Sequence, residues 1–273
     1  MPTSFLCTAC GTGYPPAETP PKTCPICRDE RQYVPPSGQG WTPFEAMRDG
    51  HRALIAYDGE FLGLGMAPSF AIGERALLVR TPAGNILWDL IPLIDRAMVE
   101  LIDGLGGLAA IAISHPHYYT TMAEWSEAFG GIPVLTHAAD KAWIQRPGPH
   151  VALWEGERRE ILPGVTLIRC GGHFAGGTVL HVADAAGGKG ALLSGDILQV
   201  TPGCDGFGFM RSYPHYIPLG QKAVRRIEAA LDGLAFETVT GAFWGRVVPQ
   251  DGRAVLKKSV ERHVRWLGES ADI

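Results

Sequence analysis

Four cysteines stand in two pairs near the start of this chain, Cys7-Thr8-Ala9-Cys10 and Cys24-Pro25-Ile26-Cys27. Each Cys-x-x-Cys can wrap one side of a tetrahedral ion, and two of them supply the four thiolates of a closed, structural zinc site. Ligand type by itself leaves iron open there. A second set is sparser: His115 and His117, then His173, then Asp196, each in a Gly-, Pro- or Ser-rich setting just beyond an apolar run. Imidazoles with one carboxylate suit a reactive zinc or iron ion that keeps a position open for chemistry. The reading is therefore two ions, one to fold with and one to react with.

Rigid elements must aim these side chains. Leu108 to Ile113 is a continuous apolar run, the mark of a strand covered on both faces, and His115 and His117 follow directly. Thr121-Met122-Ala123-Glu124 then reads as a capping box that opens a short helix. Upstream, Ala76 to Arg80 and Asn85 to Asp89 read as strands, and Asp95 to Leu105 as a helix. The later half repeats the scheme. Strands are expected at Val165–Cys170, Thr178–Val182, Ala191–Ser194 and Thr238–Gly241, with helices near Gln221–Leu231 and Asp251–Leu267. Strands followed by helix, twice over, predict two packed sheets with helices outside.

The first forty residues differ in character. Six Gly and Pro residues lie between the cysteine pairs with almost no aliphatic side chains, so a metal must supply the order. This segment resembles zinc-ribbon or rubredoxin-type knuckles over roughly residues 5 to 30. Glu18, Lys22, Arg28, Asp29, Glu30 and Arg31 balance in sign, so the ribbon lacks the basic face of a nucleic-acid reader. It is expected to be structural, or to dock a protein partner or a second copy. The division predicted is 1–40 for ribbon and connector and 41–273 for the main domain.

The 273 residues can bury one large core with a small appendage. A net charge of -4 without long runs of one sign argues against a generic nucleic-acid or anionic-membrane surface. No apolar stretch approaches the roughly 20 residues that span a bilayer. No basic-then-apolar leader opens the chain, and the cysteines suit metal better than disulfides, so a reducing cytoplasm is expected.

Residues 50 to 270 resemble the metallo-β-lactamase superfamily. Four segments carry the likeness, Trp88-Asp89, His115-Pro116-His117-Tyr118-Tyr119-Thr120 against H-x-H-x-D-H, Gly172-His173-Phe174-Ala175-Gly176 and Ser194-Gly195-Asp196, while the late turn Gly241-Ala242-Phe243-Trp244-Gly245 lacks the family's histidine. The resemblance implies an αββα four-layer sandwich, with Asp89 supporting the site. It also implies a first metal on His115, His117 and His173, with Asp196 as a fourth ligand or as partner of a metal-bound water. The family's second-metal ligands are missing, because Tyr119, Thr120 and Ala242 or Phe243 stand where Asp, His and His belong. One active-site ion is therefore expected, zinc or iron, with Tyr119 and the Phe243-Trp244 turn filling the second place. Tyr119 is a candidate catalytic phenol whose bland alternative is packing. His215, in Tyr213-Pro214-His215-Tyr216, is a candidate for a loop over the substrate, and the Gly-rich stretch from Pro202 to Gly208 a candidate lid.

The leading functional reading is a single-metal hydrolase of a small ester, thioester or lactone. The alternatives are a non-haem iron oxidoreductase similar to persulfide dioxygenases, whose triad His115, His173 and Asp196 match, and a catalytically weak docking relative.

Overall fold

Two-residue alternation along the apolar strands sets the layers. The computed structural model describes residues 2–268. At the N-terminus β1 (Phe5–Cys7) pairs antiparallel with β2 (Trp41–Pro43). Seven strands then form one sheet in chain order: β3 (Arg52–Asp58), β4 (Phe61–Ala67), β5 (Ala76–Thr81), β6 (Gly84–Trp88), β7 (Ala110–Ala112), β8 (Val134–His137) and β9 (Val151–Trp154). A second sheet begins with β10 (Arg158–Leu162), β11 (Val165–Arg169), β12 (Thr178–Val182) and β13 (Ala191–Gly195). Two short hairpins follow, β14 (Gln199–Val200) with β15 (Phe207–Gly208) and β16 (Met210–Ser212) with β17 (Ile217–Pro218). The second sheet is completed by β18 (Thr238–Gly241), parallel to β13, and β19 (Val247–Val248).

Inward residues of the two sheets meet each other. Leu77, Val79, Ile86 and Trp88 pack against Val165, Leu167, Leu180 and Leu193. Leu87, between Ile86 and Trp88, points the opposite way, into a core with Met98, Ile102, Met122 and Trp125. Leu192 does the same on the other side, toward Val224, Ile227, Leu256 and Val260. These cores place helices Arg96–Gly104 and Met122–Ala128 outside the first sheet, and Gln221–Ala230 and Gly252–Gly268 outside the second. The αββα sandwich expected from the sequence is the observed architecture. None of the described helices is long and apolar enough to cross a membrane.

Two local expectations need correction. Thr121 is the N-cap of helix Met122–Ala128, but its side chain makes no capping bond. Its hydroxyl reaches the carbonyls of Ile91 and Pro92, and Glu124 pairs with Arg146 instead. Tertiary partners outcompeted the local box. The stretch from 202 to 208 is not a cover over the ligands: it closes the β14–β15 hairpin, and Phe207 N–H donates to Ser259 Oγ on helix Gly252–Gly268 at 2.9 Å.

The cysteine knuckles form their own cluster with Tyr14 and Ile26, and Trp143 of the large domain packs against it. Leu6, one residue before Cys7, lies in the core beneath the first sheet. Strand pairing between β1 and β2 crosses the boundary expected at residue 40.

Candidate metal centre

Strand ends bring the sparse set together. Asp89 follows β6, His115 follows β7, His173 follows β11 and Asp196 follows β13, all at one end of the sandwich. One donor atom from each of His115, His117, His173 and Asp196 lies within 4.8 Å of every other. His117 Nδ1 and His173 Nε2 are 3.4 Å apart, and His115 Nε2 and Asp196 Oδ2 are 3.8 Å apart. A tetrahedron with metal–nitrogen bonds of about 2.1 Å has edges of roughly 3.4 Å. His115 Nε2 and Asp196 Oδ1 are buried with no hydrogen-bond partner among the described residues. Such orphaned donors are costly unless something binds them. The residues fit one ion.

Supporting bonds fix which nitrogen faces inward. Ser114 accepts from His115 Nδ1 at 2.8 Å and donates its hydroxyl hydrogen to Asp89 Oδ2 at 3.0 Å. Ser114 N–H donates to the other Asp89 oxygen at 2.7 Å. His173 Nδ1 meets the Met210 carbonyl at 3.2 Å. Each arrangement leaves Nε2 with its lone pair toward the ion position, the usual work of outer-shell partners. Asp89 thus holds Ser114 in place behind His115, at φ 60°. Gly195 lets the end of β13 come this close: a Cβ there would sit 2.7 Å from Ser114 Oγ.

Burial sets the protonation states. It holds His115 and His117 well below the ordinary imidazole value, and His173 at about 4. It pushes Asp196 up to about 7 and Asp89 up to about 8. Neutral imidazoles are the form that binds metal, and a bound cation would return Asp196 to its charged form.

Three site residues escaped the sequence reading. Glu74, just before β5, has a buried carboxyl beside Asp196 and Tyr118, and its Oε1 has no partner among the described residues. Burial, then the neighbouring Asp196 and Asp89, hold it well above the usual carboxylate range. An acid two residues before an apolar strand was the available signal. Phe174 places its ring 5.6, 5.1 and 5.0 Å from those of His115, His117 and His173. Arg31, counted in the sequence only as one of six balanced charges, lies over that ring.

Other expected residues stand elsewhere. Tyr119 is buried in the core beneath the first sheet, near Thr136 and Asp140, whereas Tyr118 packs edge-on against His115 at 5.3 Å. The register of the short 3-10 turn Pro116–Tyr118 decides which tyrosine faces the histidines. His215 is exposed and its Nε2 meets the Gln32 carbonyl, so it touches the ribbon and not the ligands. Trp244 covers Gly63 and Gly65 of β4, where an added Cβ would meet its ring at 2.6 and 2.9 Å. The neighbour of Asp196 is accordingly Glu74, in place of the Phe243-Trp244 turn. Thr120 has another partner, the Gly11 carbonyl of the ribbon.

The cysteines converge as expected. Cys7, Cys10, Cys24 and Cys27 are all buried free thiols with their sulfurs within 4.8 Å of one another. Cys7–Cys27 and Cys10–Cys24 separations of 3.5 and 3.6 Å approach the roughly 3.8 Å edge of a tetrahedron with metal–sulfur bonds of about 2.3 Å. Gly11 makes the knuckle turn at φ 76°, and its N–H donates to the Cys7 carbonyl. Between the two clusters lies a cavity of about 20 Å³, lined by Cys10, Met66, Phe70, Glu74, His117 and Thr120 among others.

Comparison with known proteins bears on the fold and the family. The chain is 40% identical over 266 residues, 96% of each chain, to the uncharacterized protein YmaE of Bacillus subtilis strain 168. No protein-family model matches. Among solved structures, VMB-1 aligns with a TM-score of 0.57 at 12% identity, over 80% of this chain and 99% of that one. A B3 metallo-β-lactamase with an active-site glutamic acid gives 0.52 at 15% identity, over 77% and 86%. The metallo-β-lactamase SMB-1, in a complex with mercaptoacetic acid, gives 0.50 at 17% identity, over 77% and 95%. These structural likenesses speak for the fold.

Proposed function

The chain belongs to the family of Bacillus subtilis YmaE and has the metallo-β-lactamase fold, and from that premise we propose that it is a single-ion metallohydrolase of a small ester, thioester or lactone. The observation that carries this reading is one complete set of three nitrogens and a carboxylate, with the positions of a second set committed elsewhere. Tyr119 belongs to the core, Thr120 is bonded to Gly11, and Ala242 is apolar.

His115, His117, His173 and Asp196 would hold the ion, which when bound supplies Lewis acidity and brings the pKa of water to about 7. The chain's own groups do the rest. Ser114 and Met210 keep two imidazoles in the binding tautomer. Phe174 and Tyr118 exclude bulk water, which strengthens every charge interaction inside. Glu74, a carboxyl beside Asp196 held toward its protonated form, would give up a proton and recover it as an acyl group is transferred to water.

The test is hydrolysis by protein loaded with zinc at both clusters, on activated small esters, thioesters and lactones. Metal-dependent turnover of one class, lost in His173→Ala, is the expected result. Absence of turnover on all three counts against it. One observation favours a second reading, an oxygen-activating iron enzyme. Two imidazoles and a carboxylate, His115, His173 and Asp196, are the donor set of oxygen-activating iron sites. Iron at the histidine cluster of protein purified without added metal, with oxygen uptake, would select that reading.

A further inference from the structure

We infer that the cysteine ribbon is a working wall of the histidine centre, and that Arg31 is a positioning residue through which ribbon order sets how tightly His173 and its partners hold an ion. This rests only on both clusters binding metal, whichever reaction follows.

Arg31 is the central observation. It lies four residues beyond Cys27, and its side chain is only 9% exposed. Burying a guanidinium is expensive unless every face of it is used. Here its edge is held by Asp29, with Nε to Oδ1 at 2.5 Å and Nη2 to Oδ2 at 2.9 Å. Its face lies 4.1 Å from the Phe174 ring centre and 4.8 Å from that of Trp143. Nη1 also approaches the His173 carbonyl at 3.4 Å. The planar fork therefore clamps the very dipeptide, His173-Phe174, that supplies one ligand and the ring in contact with all three imidazoles. Surface docking would not require such burial.

Independent contacts lock the same two parts. Thr120 donates to the Gly11 carbonyl at 2.6 Å, and Gly13 lies so close that an added Cβ would fall 2.6 Å from the Thr120 carbonyl oxygen. Glu30 pairs with Arg211 at 2.6 Å, beside the Met210 carbonyl that orients His173. Knuckle and centre share a cavity wall through Cys10 and His117. Ordering by a thiolate-bound ion is thus transmitted to the ligands of the second, and by linkage the coupling runs both ways.

The experiment uses the full chain loaded with cobalt(II), whose thiolate charge-transfer absorption reports the ribbon and whose weaker d–d absorption reports the histidine centre. In Arg31→Gln all eight ligands remain. A tenfold or larger loss of cobalt affinity at the histidine centre, measured by chelator competition, with an altered d–d spectrum and an unchanged thiolate band, is expected. Arg31→Lys, which keeps the donor and the charge without the planar fork, should fall between wild type and Arg31→Gln. Should Arg31→Gln fail to fold, Thr120→Val gives the second route, with the same expected direction. Histidine-centre affinity within twofold of wild type, with an unaltered spectrum, in either folded variant overturns the inference.

Discussion

Thr120 donates its hydroxyl hydrogen to the carbonyl oxygen of Gly11, 109 positions earlier, at 2.6 Å. A residue that reads as a lost metal ligand is in fact the bolt between the cysteine and histidine clusters. Thr120→Val removes the donor and leaves a buried carbonyl unpaired, which costs about 1–3 kcal/mol. Denaturant unfolding should show that loss, and limited proteolysis should cut sooner within residues 1–40. Wild-type values in both measurements would mean that the bond does not fasten the ribbon.

Ser114→Ala should weaken metal at the histidine centre by 10- to 100-fold, the usual effect of removing an outer-shell partner. The serine fixes His115 from its Nδ1 side and is itself held by Asp89. Chelator competition on the folded variant measures it. The thiolate site serves as internal control.

Metal affinity at the histidine centre should rise with pH and level off above about 7, the value to which burial pushes Asp196 in the ion-free protein. The carboxyl is protonated below that value and must lose its proton to bind, so binding should release one proton there. His173, held at about 4, is already neutral and adds no release near pH 6. Calorimetry in buffers of different ionisation enthalpy counts the protons; none released at pH 6 would contradict the assignment.

Stability of the ion-free protein should fall as pH rises from about 6.5 to 8, whereas between 4 and 6.5 two buried groups oppose each other. His173 is lowered from 6.5 to about 4, so its contribution is present above 6.5 and lost as pH falls toward 4. Asp89 is raised from 3.8 to about 8, so its contribution is present below 3.8 and lost as pH rises through 8. Melting temperature against pH, with and without zinc, tests this. Zinc should add more at pH 8 than at pH 5.

Tyr119→Asp should not create a two-ion centre. The phenol sits in the core beneath the first sheet, so the new carboxylate would be buried there, close to Asp140, and should cost several kcal/mol. Metal analysis should still count one ion at the histidine centre. A second would show that the Tyr119 position can reach it.

The chain's order of residues determined the ligands. Cys-x-x-Cys spacing is a local property, and His115-Pro116-His117 is placed by the single strand it follows. Apolar alternation in β6 and β13 likewise determined which faces meet, because side-chain direction repeats every two residues whatever the partner. Strands β3 and β4 were not legible, since β3 is exposed at nearly every position and carries no alternating signal. Only the tertiary structure decided that Tyr118 and not Tyr119 faces the histidines, that Glu74 joins Asp196, and that Arg31 lies over Phe174. Each of these depends on how closely segments distant in the chain approach, and on which buried polar group finds a partner there. That choice is made by three-dimensional packing, and no spacing along the chain encodes it.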